Sequence, residues 1–343
     1  MELKLAFIGF GNVARAFARI LKKHQPELFT RYGLDTTTTA IATANHGCIT
    51  STAGIELLDA AACVERGGNL EKLPGSTPVA DPIATINSCN ADILFETTAL
   101  NVVDGEPATS YIRNALSRGV NVITANKGPI AFAYSELRAL ASQSGVGFRF
   151  EGTVMDGTPV FNLFDQCLPG VQLLGFSGVL NSTTNLILTR MHSGISFAES
   201  LEEARRLGIA EANADYDIDG WDAAMKAVAL ANVLMGIDAR PADVERTGIR
   251  NVTIAQINEA AGSGHVVRLI ARGKRSTIGV RLTVAPEMVP LNSALGSVSG
   301  TSNVLVFETD LMGEIAIVET DPGVTQTAYA LLSDMLQIHK NLG

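Results

Sequence analysis

The chain contains 343 residues, of which 46% are hydrophobic and 18% charged, so it has the composition of a globular protein with about two domains. Its 35 acidic and 26 basic residues give a formal net charge of −9, which argues against a surface for nucleic acids or anionic membranes. Its four cysteines form no CxxC pair, its apolar runs are shorter than the roughly 20 residues of a membrane span, and its start lacks a secretory signal. We therefore expect a cytoplasmic protein without a disulfide framework or a zinc site.

The N-terminal segment predicts a dinucleotide-binding site. Leu3 to Ile8 is an apolar run, and apolar residues at helical spacing begin at Val13. The Gly-x-Gly-x-x-Ala turn between them permits a tight reversal and a close approach of the backbone to a pyrophosphate. The helix N-terminus then supplies a positive field for the phosphates. The turn consists of Gly9, Phe10, Gly11, Asn12, Val13 and Ala14.

The segment after the second predicted strand bears on the choice between NAD and NADP. An NAD site usually has an acidic residue there, which binds the ribose 2′-hydroxyl. The predicted strand is Thr37 to Thr43, and Ala44 to Gly47 after it contain no carboxylate. This absence favours NADP over NAD. No arginine stands beside Asn45, and His46 is either a phosphate contact or a loop residue.

The next hundred residues alternate between helical and strand patterns, which predicts a parallel sheet covered on both faces. The predicted elements are helix 55–65, strand 91–97, helix 107–118, strand 120–124, helix 135–143 and strand 147–151. From Gly152 the pattern changes to an α+β one. Its predicted elements are helices 183–191, 197–207 and 221–235, and strands 266–271, 279–285, 303–308 and 314–318. A last helix, 325–338, is expected to pack back onto the first domain.

These patterns predict an α/β protein with a Rossmann-type doubly wound parallel sheet and a second α+β domain. The dinucleotide-binding domain is predicted over residues 1–138 plus 312–343. The substrate-binding and dimerisation domain is predicted over 139–311.

The densest group of chemically active residues lies between Gly208 and Lys226, which include five carboxylates. Asp215, Asp217 and Asp219 occupy the first, third and fifth positions of an EF-hand calcium loop. The twelfth position, normally a bidentate glutamate, is Lys226, a cation in place of the strongest ligand. The sequence therefore argues against calcium.

Asp222 and Lys226 are four residues apart, on one face of a predicted helix. Such a pair is often a solvated surface ion pair of little energetic weight. The apolar residues that follow Lys226 favour the alternative, a partly buried lysine that acts as a proton shuttle.

Lys127 also has two possible interpretations. It follows a predicted parallel strand at the edge where ligands of open α/β sheets bind, but it is also typical of a surface βα loop.

Taken together, these motifs resemble the homoserine dehydrogenase family over nearly the whole chain. The Gly-x-Gly-x-x-Ala turn recurs in many dehydrogenases, whereas Thr-Ala-Asn-Lys at 124–127 together with Glu-x10-Asp-x3-Lys at 211–226 points to this family. Further matching segments are 95–98, 151–159 and 178–185. The resemblance implies reversible oxidation of L-homoserine to L-aspartate 4-semialdehyde with NADP or NAD, on the route to threonine, methionine and isoleucine.

The resemblance also implies roles for individual residues. Glu211 binds the substrate's amino group, Asp222 holds the substrate and orients Lys226, and Lys226 moves the proton on the reacting oxygen. Lys127 lies between substrate and nicotinamide and is a second candidate proton carrier. The implied cofactor contacts are Gly9, Phe10, Gly11, Asn12, Val13, Ala14, Thr98, Lys127 and Gly323. A structural monovalent cation, sodium in the family, is implied at Glu151, Val154, Asp156 and Thr158.

The resemblance further implies a homodimer, in which the apolar strands of the second domain form a shared sheet. Because the chain ends at Gly343, the C-terminal regulatory domain of longer members is not expected. Two alternatives remain open at this stage. One is another semialdehyde or hydroxy-acid dehydrogenase on the same scaffold, for which Cys167 lacks the flanking pattern of a nucleophile. The other is a nucleotide sensor without catalysis, against which the presence of both lysines and their carboxylates argues.

Overall fold

The computed structural model describes residues 2–211 and 213–342, and the chain forms two compact units. The first unit runs to Gly157 and resumes at Gly323, and the second is Thr158–Pro322. Both changes of unit lie later in the sequence than the domain boundaries predicted at residues 138 and 312. The helix predicted at 135–143 ends at Ser144 and leads into a strand of the first sheet, while the hairpin that ends at Glu319 belongs to the second sheet.

The first unit begins with a sheet whose strands alternate with helices. Its strands are β1 (Glu2–Ile8), β2 (Asp35–Ala42), β3 (Cys48–Thr50), β4 (Thr77–Pro78), β5 (Ile93–Glu96), β6 (Asn121–Thr124) and β7 (Phe148–Arg149). Its helices are α1 (Asn12–Tyr32), α2 (Leu57–Glu65), α3 (Pro82–Ser88), α4 (Ala108–Ser117) and α5 (Lys127–Ser144).

In its described residues the second unit contains six strands and six α-helices, and the C-terminal helix returns to the first unit. The strands are β8 (Leu173–Val179), β9 (Glu245–Arg246), β10 (His265–Ser276), β11 (Gly279–Pro290), β12 (Asn303–Thr309) and β13 (Glu314–Glu319). The helices are α6 (Ser182–His192), α7 (Phe197–Arg206), α8 (Asp215–Ile218), α9 (Trp221–Leu234), α10 (Ile254–Gly262) and α11 (Ala294–Ser297). The returning helix is α12 (Val324–Leu342).

The first sheet confirms the predicted Rossmann-type arrangement. Its strand order is β4-β3-β2-β1-β5-β6-β7. The five neighbouring strands β2, β1, β5, β6 and β7 pair in parallel. Strands β3 and β4 add an antiparallel edge that the sequence pattern did not predict, since so few residues carry no periodicity. The chain leaves β1 toward β2 on one side and β5 lies on the other, so a ligand crevice is expected at the carboxyl ends of β1 and β5.

Apolar side chains on both faces of this sheet explain why helices cover it. On one face α1, α2 and α12 pack around Phe7 and Phe95, whose rings stack with centroids 4.9 Å apart. On the other face, where Leu94 and Val122 are fully buried, α3 and α4 contact the strands. Helix α1 therefore has its N-terminus fixed at the carboxyl end of β1, as dinucleotide binding requires.

The second unit confirms the predicted α+β pattern with a six-stranded sheet in the order β13-β12-β8-β10-β11-β9. All neighbours are antiparallel except β9 and β11. Helices α6 and α9 pack against it, and in α9 every residue from Asp222 to Asn232 is buried except Lys226, which is partly buried. Within residues 2–211 and 213–342, no helix is both long and apolar enough to cross a membrane.

Candidate active site

The turn between β1 and α1 has the geometry of a phosphate-binding turn. Gly9 has φ +87°, and a Cβ at this position would lie 2.6 Å from the backbone carbon of Thr97. Its N–H donates to the Ala42 carbonyl at 2.9 Å. The turn is therefore held between β2 and β5, and only glycine fits at its first position.

The N-terminus of α1 is open to a ligand. Gly11 is the N-cap residue, no side chain caps the helix, and a Cβ at Gly11 would meet nothing within 4 Å. The free N–H groups and the helix dipole favour an anion at this end. Phe10 and Ala14 are buried in the core, so their predicted contribution to cofactor binding is through the backbone.

These elements surround a cleft of about 230 Å³ in the first unit. It is lined by residues 9–11, Arg15, residues 43–46, Val64 and residues 97–99. The predicted contacts Gly9, Phe10, Gly11 and Thr98 thus face one cleft. The loop after β2 contributes to the same wall, as expected for the segment that meets the adenosine ribose.

Arg15 is a cleft residue that the sequence reasoning missed. Its side chain is 17% exposed and its Nε lies 3.5 Å from the Glu65 carboxylate. Its Nη1 donates to the Phe10 carbonyl at 3.2 Å and its Nη2 to Asn12 Oδ1 at 2.7 Å. Position 15 is one helical turn after Gly11, and that spacing was the available signal. His46, across the cleft, is anchored by Nδ1, 2.8 Å from the Gly68 carbonyl.

The carboxyl ends of β5 and β6 hold Thr98 and the start of α5. Thr98 donates from its backbone N–H and its hydroxyl to the buried carboxylate of Glu96. Asn126 caps α5 by accepting a hydrogen bond from the Gly128 N–H, and partly buried Lys127 is the first residue of the helix. The structure thus brings Thr98 and the Lys127 backbone to the same sheet edge.

Gly323 directly precedes α12 in the first unit and accepts hydrogen bonds from Gln326 and Thr327.

In the second unit, Lys226 and Asp222 form a shielded ion pair on α9. Their charged atoms lie 3.3 Å apart, and their side chains are 15% and 10% exposed. Lys226 Nζ also donates to the Leu180 carbonyl at 2.6 Å. This burial argues against a solvated surface ion pair, because the charged groups of such a pair would be exposed.

Asn181 joins two carboxylates beside this lysine. Its Oδ1 caps α6 by accepting from the Thr184 N–H at 2.8 Å. Its Nδ2 donates to Asp217 Oδ1 at 2.8 Å and to Asp222 Oδ2 at 3.0 Å. Burial raises the pKa of the Asp217 carboxyl, and the Asp222 charge raises it further, against the hydrogen bond from Asn181. One amide thus holds a pair of carboxylates that repel each other.

The sequence identified the acidic segment but neither Asn181 nor the special position of Asp217. An asparagine before the helical pattern at 183 predicts an N-cap, yet nothing in the sequence shows which carboxylates it meets. The Tyr216 hydroxyl, which lies in the same cluster, is buried and has no hydrogen-bond partner within the described chain. Burial and the charges of Asp222 and Asp217 raise the pKa of Tyr216.

The remaining carboxylates of the acidic segment face other partners. Asp215 and Asp219 both pair with Arg250, at 2.6 and 3.0 Å. An EF-hand would instead direct these two carboxylates to one ion with Asp217. Glu211 lies in the loop between α7 and α8 and is exposed.

The segment implied as a cation site is an irregular stretch at the end of the first unit. Glu151 and Val154 are buried, Asp156 adopts a left-handed backbone conformation with φ +44°, and Thr158 begins the second unit. Glu151 N–H donates to Asp334 Oδ2 at 2.9 Å. In the part of the chain that the structure describes, no three His, Cys, Asp or Glu side chains group as metal ligands.

The fold and the cleft define a Rossmann-type dinucleotide-binding protein. Comparison with known proteins gives the family. The homoserine dehydrogenase family model matches residues 159–336, and the model of the homoserine dehydrogenase NAD binding domain matches residues 9–151. The chain belongs to the homoserine dehydrogenase family.

Individual relatives support this assignment along the whole chain. The NAD(+)-dependent homoserine dehydrogenase of Pseudomonas canavaninivorans is 38% identical over 99% of this chain and 97% of its own length. The homoserine dehydrogenase of Methanocaldococcus jannaschii is 35% identical over 99% of both chains. A hyperthermophilic archaeal homoserine dehydrogenase solved in complex with NADPH matches with a TM-score of 0.84 and 30% identity, over 99% of this chain and 98% of that one.

Proposed function

We propose that this homoserine dehydrogenase catalyses the reversible NAD(P)-dependent oxidation of L-homoserine to L-aspartate 4-semialdehyde, toward threonine, methionine and isoleucine. The observation that carries the proposal is the position of Lys226. This residue lies on the apolar helix α9, is largely shielded from solvent, and contacts the Asp222 carboxylate and the Leu180 carbonyl. When bound, the dinucleotide would supply the hydride acceptor for the carbon that carries the hydroxyl. The protein's own residues then have one proton to move and one oxygen to stabilise.

Lys226 is the proposed proton carrier. In the oxidation its uncharged amine accepts the proton of the substrate hydroxyl, and in the reduction its ammonium returns that proton to the alkoxide. Asp222 orients the amine, and Asn181 fixes Asp222. Glu211 is proposed to bind the substrate's ammonium group, and Lys127, at the N-terminus of α5, is the second candidate proton carrier.

The test is a comparison of substrates with purified protein. Absorbance at 340 nm is followed with L-homoserine and NADP or NAD, and L-serine and a 2-hydroxy acid serve as comparators. We expect reduction of the cofactor with homoserine at a rate at least a hundredfold above either comparator. Equal or faster reaction with a comparator, or no reaction with homoserine and none with aspartate semialdehyde and NADPH, would contradict the proposal.

We further propose that NADP is preferred over NAD, with Arg15 as the cation for the 2′-phosphate. Two features of the cleft support this. Its loop after β2, Thr43 to His46, has no carboxylate to bind a ribose 2′-hydroxyl, and the guanidinium of Arg15 lies in the cleft lining. Arginine suits phosphate because its donors match the phosphate oxygens.

Replacing Arg15 tests this preference. A hydrogen bond to a charged group contributes about 1.5–3 kcal/mol, so Arg15→Ala should raise the KM for NADP about tenfold. The KM for NAD should stay within twofold. Arg19→Ala is the matched control, because Arg19 also pairs with Glu65 but does not line the cleft. Equal effects on the two cofactors would contradict a contact with the 2′-phosphate.

A structural monovalent cation, sodium by family resemblance, is proposed at the backbone of Glu151, Val154, Asp156 and Thr158. The support is chemical. Between Glu151 and Thr158 the described chain forms a short 3-10 turn and irregular backbone, so its carbonyl oxygens lie outside helix and strand ladders, and hard cations prefer oxygen ligands. Exchange of sodium for a large organic cation should then lower the thermal midpoint.

A homodimer through the second unit is also proposed. Strand β13 lies at the edge of the second sheet, Val318 on it is 52% exposed, and Leu311 in the preceding turn is 72% exposed. An apolar sheet edge of this kind favours association with a second copy. Analytical ultracentrifugation at micromolar concentration should give twice the chain mass of 36.2 kDa.

A further inference from the structure

A buried carboxylate in the first unit has no part in the proposed chemistry. Glu96 is the last residue of β5 and is 0% exposed. Its Oε1 accepts hydrogen bonds from the Thr98 N–H at 2.8 Å and the Thr98 hydroxyl at 2.5 Å. Its Oε2 accepts from the Thr124 hydroxyl at 2.8 Å. Both oxygens are thus engaged by donors from two neighbouring strand ends.

The hydrogen-bond donors around this carboxyl stabilise its ionised form, against the effect of burial. Burial raises the pKa of Glu96, and the donors on Thr98, Thr124 and Asn126 oppose that rise. The Thr124 hydroxyl donates to Glu96 and accepts from the Asn126 N–H at 2.9 Å. A lone buried carboxylate is costly to a fold, and an apolar residue would pack there at lower cost. Its presence therefore points to a geometric task.

Glu96 connects the cleft to the start of α5. On one side it holds Thr98, which lies in the cleft lining. On the other side it holds the Thr124 hydroxyl, which fixes the backbone of Asn126, and the Asn126 Nδ2 donates back to the Thr98 carbonyl at 3.4 Å. Asn126 caps α5, so the position of the Lys127 backbone depends on the same closed network.

We propose that Glu96 is a positioning residue for dinucleotide binding. It acts through Thr98 and Asn126, whose positions it sets, and it contacts neither the substrate nor the reacting atoms. This inference rests on the proposed function, because Thr98 and Lys127 are cofactor contacts only in an enzyme that binds a dinucleotide as the family resemblance implies. It predicts that the network determines affinity for the dinucleotide separately from the stability of the fold.

The test uses isosteric changes in the full-length protein. Thr124→Val removes the hydroxyl that joins Glu96 to Asn126, and Glu96→Gln removes the charge. Thr85→Val is the matched control, since Thr85 is equally buried in the first unit and its hydroxyl donates to the Asp81 carbonyl on α3, away from the network. For each protein we measure the NADPH dissociation constant by fluorescence, KM and kcat for both substrates, and the thermal midpoint.

Thr124→Val and Glu96→Gln should each raise the NADPH dissociation constant about tenfold, the effect of one lost hydrogen bond to a charged group. The KM for homoserine at saturating cofactor should stay within twofold. Thr85→Val should lower the thermal midpoint but leave NADPH affinity unchanged. The double variant should bind NADPH no more weakly than Glu96→Gln alone, because both changes break one network.

Equal loss of NADPH affinity in Thr124→Val and Thr85→Val would overturn the inference, since the effect would then be general destabilisation. Unchanged affinity in Thr124→Val would overturn it as well, and this variant carries the test if Glu96→Gln does not fold. Failure of the proposed function has a different signature. In that case the wild-type protein binds NADPH, the variants separate as expected, and homoserine is not oxidised.

Discussion

Each unit of the molecule buries carboxylates close to its functional residues, but the two surroundings differ. In the first unit, the donors to Glu96 within the described residues are neutral groups of threonine and asparagine. In the second unit, Asp217 and Asp222 share the amide of Asn181, and Asp222 also pairs with Lys226. The first network contains one charge, and the second contains two like charges and a cation.

This difference separates a positioning role from a chemical one. Burial raises the pKa of both Glu96 and Asp217. For Glu96 neutral hydrogen-bond donors oppose the rise. For Asp217 the Asp222 charge adds to the rise, while hydrogen bonds from Asn181 and Thr183 and the Lys226 charge oppose it, so its protonation is sensitive to the charges nearby. A site that moves a proton requires such sensitivity, whereas a site that holds a cofactor requires rigidity.

The largest expected effect comes from removing Lys226, the cation of the network that contains Asp217, Asp222 and Asn181. Lys226→Ala should lower kcat about 10³-fold, because a positioned acid–base group contributes roughly 10²–10⁴-fold. Affinity for NADPH should not change, since the cofactor cleft lies in the first unit. Steady-state kinetics and NADPH fluorescence on one preparation check both statements.

Lys274→Ala provides the control for the loss of a lysine in the same unit. Lys274 forms an exposed ion pair with Glu308, and such pairs contribute about 0–1 kcal/mol. Its kcat should therefore match that of the wild type. If Lys226→Ala retained more than a tenth of the wild-type kcat, the proton would have to travel by another group, with Lys127 the first candidate.

The next largest effect is expected from replacing the Asn181 amide, which donates hydrogen bonds to Asp217 and Asp222. Asn181→Asp keeps the oxygen that caps α6 but sets a third carboxylate against Asp217 and Asp222, so kcat/KM should fall about 10²-fold, the scale of a general acid–base contribution. The acidic limb of the pH profile should also move to higher pH, because activity requires ionised carboxylates and the added charge raises their pKa.

Asn181→Ser separates the charge from the lost hydrogen bonds. Serine also caps a helix, but its side chain is shorter than that of asparagine, so its hydroxyl should not replace the two hydrogen bonds to the carboxylates. Its activity should fall by about tenfold, the size of one or two lost hydrogen bonds, with a smaller shift of the acidic limb. Identical pH profiles for the two variants would show that electrostatic coupling between the carboxylates does not control activity.

The sequence predicted the features that depend on local patterns. The strand–turn–helix from Leu3 through Ala14, the alternation of the first domain and the burial of α9 all follow from residue spacing and apolar runs. Strand β8 was missed because Gly175 and Gly178 interrupt its apolar pattern. Its Gly178 is required by a distant neighbour, since a Cβ there would lie 2.9 Å from the Val304 carbonyl.

The side chains that complete the two networks could not be predicted for the same reason. Asp215, Asp217 and Asp219 are equivalent in the sequence, yet one meets Asn181 while the others meet Arg250. The partner Asn181 is separated from Asp217 by 36 positions, and Thr124 is separated from Glu96 by 28. Pattern analysis finds residues of the right chemical type, but long-range packing decides which of them face each other.

The smallest expected effect sharpens the comparison through stability. Asp217→Asn removes one of two repelling charges, so at pH 8 it should raise the thermal midpoint by about 2 °C, the shift that roughly 1 kcal/mol produces in a chain of this size. Because the folded-state pKa of Asp217 is raised, the gain should disappear as pH falls through that pKa and the wild-type carboxyl becomes protonated.

Glu96→Gln should instead lower the midpoint at pH 8 by a similar amount, since an amide NH₂ then faces the Thr124 hydroxyl that donated to the carboxylate. Thermal unfolding of both variants from pH 5 to 8 checks this contrast, and a lower midpoint for both would mean that the Asp217–Asp222 pair is as well compensated in the fold as Glu96.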